Sequence, residues 1–400
     1  MIFIAFIADS FIVDGDVFSG GAEQHMYELI KQAQEEGAKV RVYQPAADNA
    51  SYMVNGIEIQ NIQCHRKAIW KKGSEQAKRD GCSHIHYNYL HFAIPSKTQV
   101  VTATDHGVWW DIPFIGKYSK WYPLNKLASI YLPIWRKKSK WQTMRRIKNC
   151  QAIIAGDSTL MRIVQSDLTE YRTRIHVSGN FCNLKQEVDS ATMNVQNQQI
   201  EQAKRDNRLI ILVPRNLSLV RGGAWLADLV RRVSSLTNGN CLFVVTGRFI
   251  FQTGREQVYQ SAFQEQMKDI EDQLIVLGGT PHKKMQGLYQ SSDIVLIPTY
   301  AAEGGSLSAI EGATYGKPVV ATNVGGLNDV VVNGVTGLVT EASVDGMAEA
   351  IVRLYKDERE REEMGNNGKV YSKRYSLERW KKEIRPFTLK AGWIERHSTE

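Results

Sequence analysis

The chain has 400 residues, which is too long for one ordinary domain and suits two domains of roughly 150–200 residues each. Its hydrophobic share of 43% and its charged share of 23% are those of a globular protein. Its five cysteines are odd in number and show no metal-ligand spacing, so a reduced, cytosolic compartment is expected. No apolar run approaches the roughly 18–20 residues of a membrane span.

The first half of the chain alternates strand and helix patterns. Residues 2–8 are apolar without a basic leader, and Asp9 ends the run, so they predict a buried strand and not a signal peptide. A helical pattern covers residues 22–37 and ends at Gly37, a residue type suited to a helix C-terminus. Later strand patterns are KVRVYQP, VVTATDHG and AIIAG. Strands separated by helices predict a parallel sheet, in a first domain of residues 1–188.

The pattern restarts after a polar stretch, residues 189–207, which is predicted to be a linker with some helix. The second domain, residues 205–375, contains short runs rich in Val, Ile and Leu, namely RLIILVP, CLFVVTG, LIVLGG, DIVLIP and KPVVATN. Such runs are typical of a doubly wound parallel sheet, so both halves are predicted to be α/β. The tail, residues 376–400, reads as a basic amphipathic helix that crosses back to the first domain.

The net charge of +8 is unevenly placed. The stretch from Ile112 to Gly156 holds no Asp or Glu and ten Lys or Arg residues, so an anionic partner is expected there. Over residues 109–148 these cations interleave with Trp and Tyr, a mixture that suits an anionic membrane surface. The alternative is that the aromatics belong to the core and the cations form a solvated face. A nucleic-acid partner is not expected, because no RNA- or DNA-binding motif is present.

The most informative segment is PTYAAEGGSLSAIEGATYGKPVVATNVGG, residues 298–326. A predicted strand ends at its start, and a loop with Glu303, Gly304 and Gly305 leads into a predicted helix that carries Glu311. Glycines at such a junction let the backbone approach a ligand, and the helix N-terminus favours an anion such as a diphosphate. The two carboxylates suit hydrogen bonds from sugar or ribose hydroxyls. The alternative is a capped helix with two solvated glutamates.

These residues resemble the E-x7-E motif of the family 4 retaining glycosyltransferases, whose GT-B fold has two Rossmann-like domains facing a central cleft. The similarity extends over residues 2–385 and is strongest in the second half. The resemblance implies that Glu303 holds the donor sugar, that Glu311 holds the ribose, and that backbone N–H groups of Ser306 and Leu307 hold the diphosphate. The chain has EGGS where the family commonly has EGFG, which leaves the shape of the sugar pocket open.

A second segment, VPRNLSLVRGG, places Arg215 and Arg221 between a predicted strand and a predicted helix. Two guanidinium groups there can clamp a diphosphate and neutralise the charge of a leaving nucleotide. The family has a lysine near the position of Arg221, with spacing one residue shorter, so Arg215 is the stronger candidate. The alternative is two surface arginines.

Two further segments lie in the first half. FSGGAEQH puts Gly20 and Gly21 before a helix, where the family has a glycine loop that faces the diphosphate; a simple tight turn is the alternative. TATDHGVWWD puts His106 at a strand end, where the family often has a histidine that touches the donor sugar. HIHYNYLH lacks the carboxylates or thiols that would complete a metal site, and its histidines are instead expected to line the acceptor side of the cleft.

The sequence therefore predicts a retaining glycosyltransferase that moves a sugar from a nucleoside diphosphate sugar to a saccharide or lipid-linked acceptor in cell-surface glycan synthesis. His106, Glu303 and Arg215 are the candidate catalytic residues. No metal or other cofactor is expected, because the arginines and helix N–H groups can stabilise the leaving group. A cytoplasmic protein is expected, held at the inner face of the membrane if the basic segment docks there. The alternatives are a sugar-nucleotide epimerase of the same fold and a non-catalytic assembly protein at the membrane surface.

Overall fold

The computed structural model describes residues 1–13, 16–17, 21–108, 110, 127–182, 197–247, 256–301 and 303–394. The described chain divides into two compact units. The first comprises Met1–Val108, Lys137–Asn180 and the described part of Glu378–Glu400. The second comprises Phe181–Leu377 and the described part of Trp109–Arg136.

The elements up to residue 182 alternate between strands and helices. In chain order they are β1 (Phe3–Ile7), β2 (Ile12–Val13), β3 (Asp16–Val17), α1 (Gly21–Glu35), β4 (Lys39–Ala46), β5 (Ser51–Val54), β6 (Ile57–Gln63), α2 (Ile69–Arg79), β7 (His84–Tyr87), β8 (Val100–Asp105), α3 (Ala128–Ile147), β9 (Ala152–Ala155), α4 (Thr159–Asp167) and β10 (Ile175–Val177).

The elements after residue 197 repeat the alternation. They are α5 (Gln198–Arg205), β11 (Leu209–Pro214), α6 (Leu226–Thr237), β12 (Cys241–Thr246), α7 (Glu256–Met267), β13 (Leu274–Gly278), α8 (His282–Ser291), β14 (Ile294–Ile297), α9 (Leu307–Thr314), β15 (Val319–Thr322), α10 (Leu327–Val330), β16 (Gly337–Thr340), α11 (Val344–Lys356), α12 (Glu358–Ser372) and α13 (Leu377–Lys390).

The first unit is built on an eight-stranded sheet of order β10-β9-β8-β7-β1-β4-β6-β5. Its strands pair in parallel except β5, which forms an antiparallel hairpin with β6. Helix α1 stops where the sequence predicts, because Gly37 takes a φ of 88° that other residues rarely adopt. On α13 and just after it, Trp380 and Trp393 are buried within this unit, and Trp393 meets the ring of Phe6 at 5.4 Å.

The second unit has a six-stranded sheet of order β13-β12-β11-β14-β15-β16, in which every pairing is parallel. All six residues of β11 and all six of β12 are buried, as expected for strands covered on both faces by helices. Two hydrophobic clusters lie on opposite faces of the sheet, with alternate residues of β11 in each. The prediction of two doubly wound parallel-sheet units is confirmed. Among the described helices, none is both long and apolar enough to cross a membrane.

Candidate functional site

The sheet of the second unit places two loops side by side. Its strand order is that of the dinucleotide-binding fold, and the chain reverses its direction across the sheet between β11 and β14. Arg215 directly follows β11, whereas Thr299 and Glu303 lie in the loop after β14. Open parallel sheets bind ligands outside the carboxyl ends of their strands at such a reversal. The fold thereby joins a predicted arginine to a predicted glutamate 88 positions further along the chain.

A buried ion pair connects these two residues. Arg215 Nη2 donates to Glu303 Oε2 over 2.7 Å, and the two side chains are only 6% and 8% exposed. Arg215 Nη1 donates to Thr299 Oγ1 over 2.8 Å, and that hydroxyl donates to Glu303 Oε2 over 3.2 Å. Burial lowers the pKa of Arg215, and the Glu303 carboxylate opposes this effect. The guanidinium is not saturated, because its buried Nε has no partner within the described residues.

The loop after β15 fixes the backbone of Glu303. Gly326 N donates to Glu303 O over 3.0 Å, and Thr322 Oγ1 donates to Thr299 O. Gly325 has a φ of 54°, and a Cβ built there would lie 1.9 Å from Glu303 O. Only glycine fits this close approach, so the NVGG sequence positions the glutamate although it lies more than twenty residues away.

The predicted diphosphate contacts lie at the start of α9. Gly304 and Gly305 form the approach, Ser306 occupies the N-cap position, and Leu307 is the first helical residue. The Ser306 hydroxyl makes no capping hydrogen bond, and the first N–H bonded within the helix is that of Ile310, to Ser306 O over 3.1 Å. The preceding N–H groups of the helix therefore point from its N-terminus without an acceptor in the helix itself, which is the arrangement that attracts an anion.

Glu311 lies just beyond the first turn of α9 and is buried. Its Oε2 accepts a 2.7 Å hydrogen bond from the hydroxyl of Tyr289 on α8. Tyr289 stacks on Tyr315 with ring centroids 5.6 Å apart. Burial and the Glu311 carboxylate raise the pKa of Tyr289 well above its usual value, so the phenol stays protonated as a donor. Tyr289 was not predicted from the sequence as a site residue. The signal that could have indicated it is that a tyrosine on a buried helix face needs a partner for its hydroxyl.

Replacing Tyr289 with phenylalanine is expected to destabilise the second unit by about 1–3 kcal/mol, because a buried carboxylate loses a donor while the ring packing survives. Urea unfolding followed by circular dichroism measures the loss. The matched control is Tyr355→Phe, since the Tyr355 hydroxyl receives only a long 3.4 Å bond from Asn240 at the surface. Equal losses in the two variants would contradict a specific role for the Tyr289–Glu311 bond.

Arg221 lies in the turn before α6 and is exposed, in contrast to Arg215. Its positive charge contributes to the lowered pKa of Arg215, after burial itself. The turn is tight because Gly222 has a φ of 104°, and a Cβ there would lie 2.5 Å from Pro298 Cγ. Trp225 Nε1 also donates to Pro298 O over 2.9 Å. The turn therefore packs against the loop after β14. It holds the exposed Arg221, whose charge acts on the buried Arg215.

Two predicted residues, Gly21 and His106, belong to the first unit, and Gly20 lies outside the described residues. Gly21 is the exposed first residue of α1. His106 follows β8, and its Nε2 donates to Asn88 Oδ1 over 3.0 Å. Its ring meets that of His25 edge-on at 5.5 Å. Burial lowers the pKa of His106 well below its usual value, so the imidazole is neutral.

His86 corrects one expectation from the sequence. Its side chain is fully buried, and its Nδ1 and Nε2 are 2.9 Å from the hydroxyls of Thr102 and Thr104. Its ring also contacts that of Trp393 at 5.3 Å. His86 therefore packs in the core of the first unit and does not line a cleft. Among the described residues, no group of three or more His, Cys, Asp or Glu side chains is arranged to hold a metal ion.

A buried carboxyl at the end of β8 was not assigned a role from the sequence. Burial and the neighbouring Asp157 carboxylate raise the pKa of Asp105 to about 7, although a backbone bond from Gly107 opposes the shift. Asp157 follows β9, the neighbouring strand, and is also buried. The two carboxyls thus both lie at the carboxyl edge of the first sheet, where each disfavours the charge of the other.

Solved structures that align with nearly the whole chain define the class of fold. A sucrose-phosphate synthase from Thermosynechococcus elongatus aligns with 98% of this chain and 99% of its own, with a TM-score of 0.71 and 16% identity. Anabaena HepE, solved with UDP and glucose, aligns with 97% of this chain and 100% of its own, with a TM-score of 0.68 and 16% identity. The chain has the GT-B fold that the sequence predicts.

A family match covers most of the second unit. Residues 194–371 match the family model described as glycosyl transferases group 1, and they contain β11–β16 and the loops described above. The lipopolysaccharide 1,2-N-acetylglucosaminetransferase of Salmonella typhimurium is 28% identical over 177 residues, which are 43% of this chain and 46% of that protein. The chain spans less than half the length of the curated relatives it matches. Residues 194–371 of this chain thus carry the domain of the group 1 glycosyltransferases.

Proposed function

We propose that the protein transfers a sugar from a nucleoside diphosphate sugar to a saccharide or lipid-linked acceptor, with retention of anomeric configuration, in the synthesis of a cell-surface glycan. The observation that carries the proposal is the arrangement at the β11–β14 reversal. There, Arg215 after β11 pairs with Glu303, which lies in the loop that leads into the N-terminus of α9. Open parallel sheets bind ligands at such a reversal of strand order. Cations and helix N–H groups suit the diphosphate, and carboxylates suit the hydroxyls of sugar and ribose.

The relatives support the nature of the substrates. The Salmonella protein is named for transfer of N-acetylglucosamine to lipopolysaccharide, and the Anabaena structure holds UDP and glucose. For this chain we infer a donor of the same chemical class and an acceptor of the glycan or glycolipid class. Such work is expected in the cytoplasm, at the inner face of the membrane when the acceptor is lipid-linked.

The proposed division of roles is the one that the resemblance to the glycosyltransferase family implies. Glu303 would hold hydroxyls of the donor sugar, and Glu311, fixed by Tyr289, would hold those of the ribose. Arg215, Arg221 and the α9 N–H groups would stabilise the negative charge that develops on the leaving diphosphate. No step of this scheme calls for a metal ion. Of the residues in the first unit, His106 is proposed to contact the donor sugar as a neutral hydrogen-bonding group, and Gly21 to face the diphosphate.

Thermal stabilisation by a panel of donors tests the proposal. UDP-glucose, UDP-N-acetylglucosamine, ADP-glucose and GDP-mannose are compared, and at a hundredfold excess over Kd the correct donor should stabilise the fold by about 2.7 kcal/mol. Arg221→Gln should weaken that donor about tenfold, because a charge-assisted contact to phosphate is lost. Arg359→Gln on the exposed face of α12 is the matched control and should bind normally.

Two outcomes would overturn the proposal. If no nucleotide sugar stabilises the protein or is hydrolysed by it, the donor site is absent. If the best donor is converted to a different nucleotide sugar without an acceptor, the protein is an epimerase. When transfer occurs, NMR of the product decides between retention and inversion at the anomeric carbon.

A further inference from the structure

Helix α3 presents an exposed apolar row to solvent. Four large apolar side chains are more than half exposed, one just before the helix and three within it. They are Leu127 (51%), Ile130 (62%), Ile134 (65%) and Trp141 (60%). Most large apolar side chains of the described chain lie in its cores. A soluble protein rarely exposes several such side chains together without a partner for them.

The spacing of this row is helical. Successive members lie three, four and seven positions apart, so they share one face of α3. The opposite face packs inward, since the side chains of Leu132, Ser139, Thr143 and Ile147 are buried. The helix thus already has its own apolar contact with the protein, and the exposed row is a second apolar face. Leu127, Ile130, Ile134, Lys138, Trp141 and Arg145 are called the α3 face below.

Basic side chains lie within and beside this row. Lys137, Lys138, Arg145 and Lys148 are all exposed, and the Arg145 guanidinium lies 5.6 Å from the ring centre of Trp141. No acidic residue occurs between Ile112 and Gly156, so the helix itself supplies no balancing negative charge. Lys140, which is off this face, pairs with Asp167 of α4 over 2.6 Å. Among the residues that the structure describes, neither Lys138 nor Arg145 forms an ion pair, so the α3 face combines exposed apolar groups with unpaired positive charge.

We propose that the α3 face docks on an anionic lipid surface, with the helix lying parallel to the membrane plane. Amphipathic helices of this composition bury the apolar row by about 5–10 Å at the level of the headgroups, where the flanking cations meet lipid phosphates. A nucleic acid would engage the cations but leave the isoleucines in water. The inference deepens the proposed function, because a lipid-linked acceptor would lie at the same surface.

Vesicle flotation with the full chain tests the proposal. The protein should float with vesicles that contain phosphatidylglycerol and only weakly with phosphatidylcholine alone, and salt should reduce binding. Two double variants separate the apolar contribution from the electrostatic one. The double variant Ile130→Ser/Ile134→Ser should lower partitioning about tenfold on anionic vesicles. Lys138→Glu/Arg145→Glu should lower it more than tenfold, at about fivefold per charge removed. The matched controls are Val370→Ser on α12 and Lys71→Glu on α2, which are exposed and should bind normally.

Trp141 supplies a direct readout of insertion. Its emission should shift to the blue on anionic vesicles, and Trp141→Phe should remove the shift while retaining most of the binding. A shift that persists in Trp141→Phe, equal flotation with both kinds of vesicle, or no flotation overturns the proposal. So does salt-dependent binding of an oligonucleotide without vesicle binding. Dimerisation that the isoleucine variant abolishes without changing vesicle binding would assign the face to a second copy.

Donor binding separates this inference from the proposed function. The α3 variants should keep the thermal stabilisation by the nucleotide sugar, because the substituted side chains are exposed on α3 and do not belong to the loops of the candidate site. Vesicle binding without donor binding would remove the proposed function and leave the docking face standing, whereas the reverse result would remove only the docking face.

Discussion

Replacing Glu303 with glutamine is expected to lower kcat/KM for transfer by about 10²–10³-fold, the scale observed when one preorganised polar contact is removed from an active site. The carboxylate is held in place by Arg215 and Thr299, with both heavy-atom distances at or below 3.2 Å. Glutamine has the same shape, and its amide oxygen can accept from both donors, because both bonds end at Glu303 Oε2. It loses the negative charge, however, and one of the two oxygens that could accept from sugar hydroxyls.

Alanine at the same position would mix two effects. Removing the side chain leaves the buried Arg215 guanidinium without its ion-pair partner, and breaking such a pair costs about 3–5 kcal/mol. Urea unfolding should therefore find Glu303→Ala much less stable than Glu303→Gln. The glutamine variant is the cleaner test of chemistry, and the alanine variant is the cleaner test of the ion pair.

The control for both variants is Glu349→Gln on the exposed side of α11, which should leave activity and stability unchanged. Steady-state rates with the donor chosen by thermal stabilisation give kcat and KM separately. Wild-type turnover in a folded Glu303→Gln protein would remove Glu303 from the mechanism. A loss of activity in Glu349→Gln of similar size would show that the assay reports something other than the site.

The fold could be predicted from the sequence because each strand and helix has a pattern within its own few residues. Runs such as LIILVP are buried on both faces of a parallel sheet and read as continuous apolar segments. The loops of the candidate site could also be predicted, because glycines and charged residues follow the ends of the predicted strands. The hydrogen bonds between side chains of these elements could not be predicted from the sequence. The Arg215–Glu303 bond spans 88 positions and the Tyr289–Glu311 bond spans 22, and neither has a periodicity to reveal it.

The histidines of the first unit show the same limit. HIHYNYLH alternates like a half-exposed strand, yet all four residues of β7 are buried. His86 is tolerated there because two threonine hydroxyls on the neighbouring β8 satisfy its ring. Whether such a histidine can be buried depends on hydrogen-bond partners on the neighbouring strand. Those partners are set by the register of the two strands, which cannot be predicted from a single sequence.

The first unit is expected to unfold in mild acid, because it buries several histidines as neutral rings. Burial lowers the pKa of His25 and His86 to about 3 and that of His91 to about 4, and it lowers that of His106 well below its usual value. Folded chains therefore bind fewer protons than unfolded chains once the pH falls below about 6.5. Stability then falls with pH by about 1.4 kcal/mol per unit for each such histidine.

Two buried carboxyls act in the opposite sense. The pKa of Asp105 is raised to about 7 and that of Glu28 is raised by burial, so each favours the folded state as the pH falls. The histidines outnumber them, so the net effect between pH 6 and pH 4.5 is a loss of stability on the order of a few kcal/mol. Since domains are stable by only about 5–15 kcal/mol, the first unit should lose its fold near pH 4–5.

Hydrogen exchange measured by mass spectrometry over this pH range locates the transition, because amides of β1, β7 and β8 should lose protection before those of β11 and β12. His25→Phe should reduce the pH slope by about 1.4 kcal/mol per unit, since phenylalanine keeps the edge-on packing against His106 and Trp380 and cannot take up a proton. The exposed His65 is the matched control, and His65→Asn should leave the slope unchanged. A slope that is the same in His25→Phe and wild type would mean that protonation of this core does not govern acid unfolding, and the loss of structure would then have to be traced to other groups.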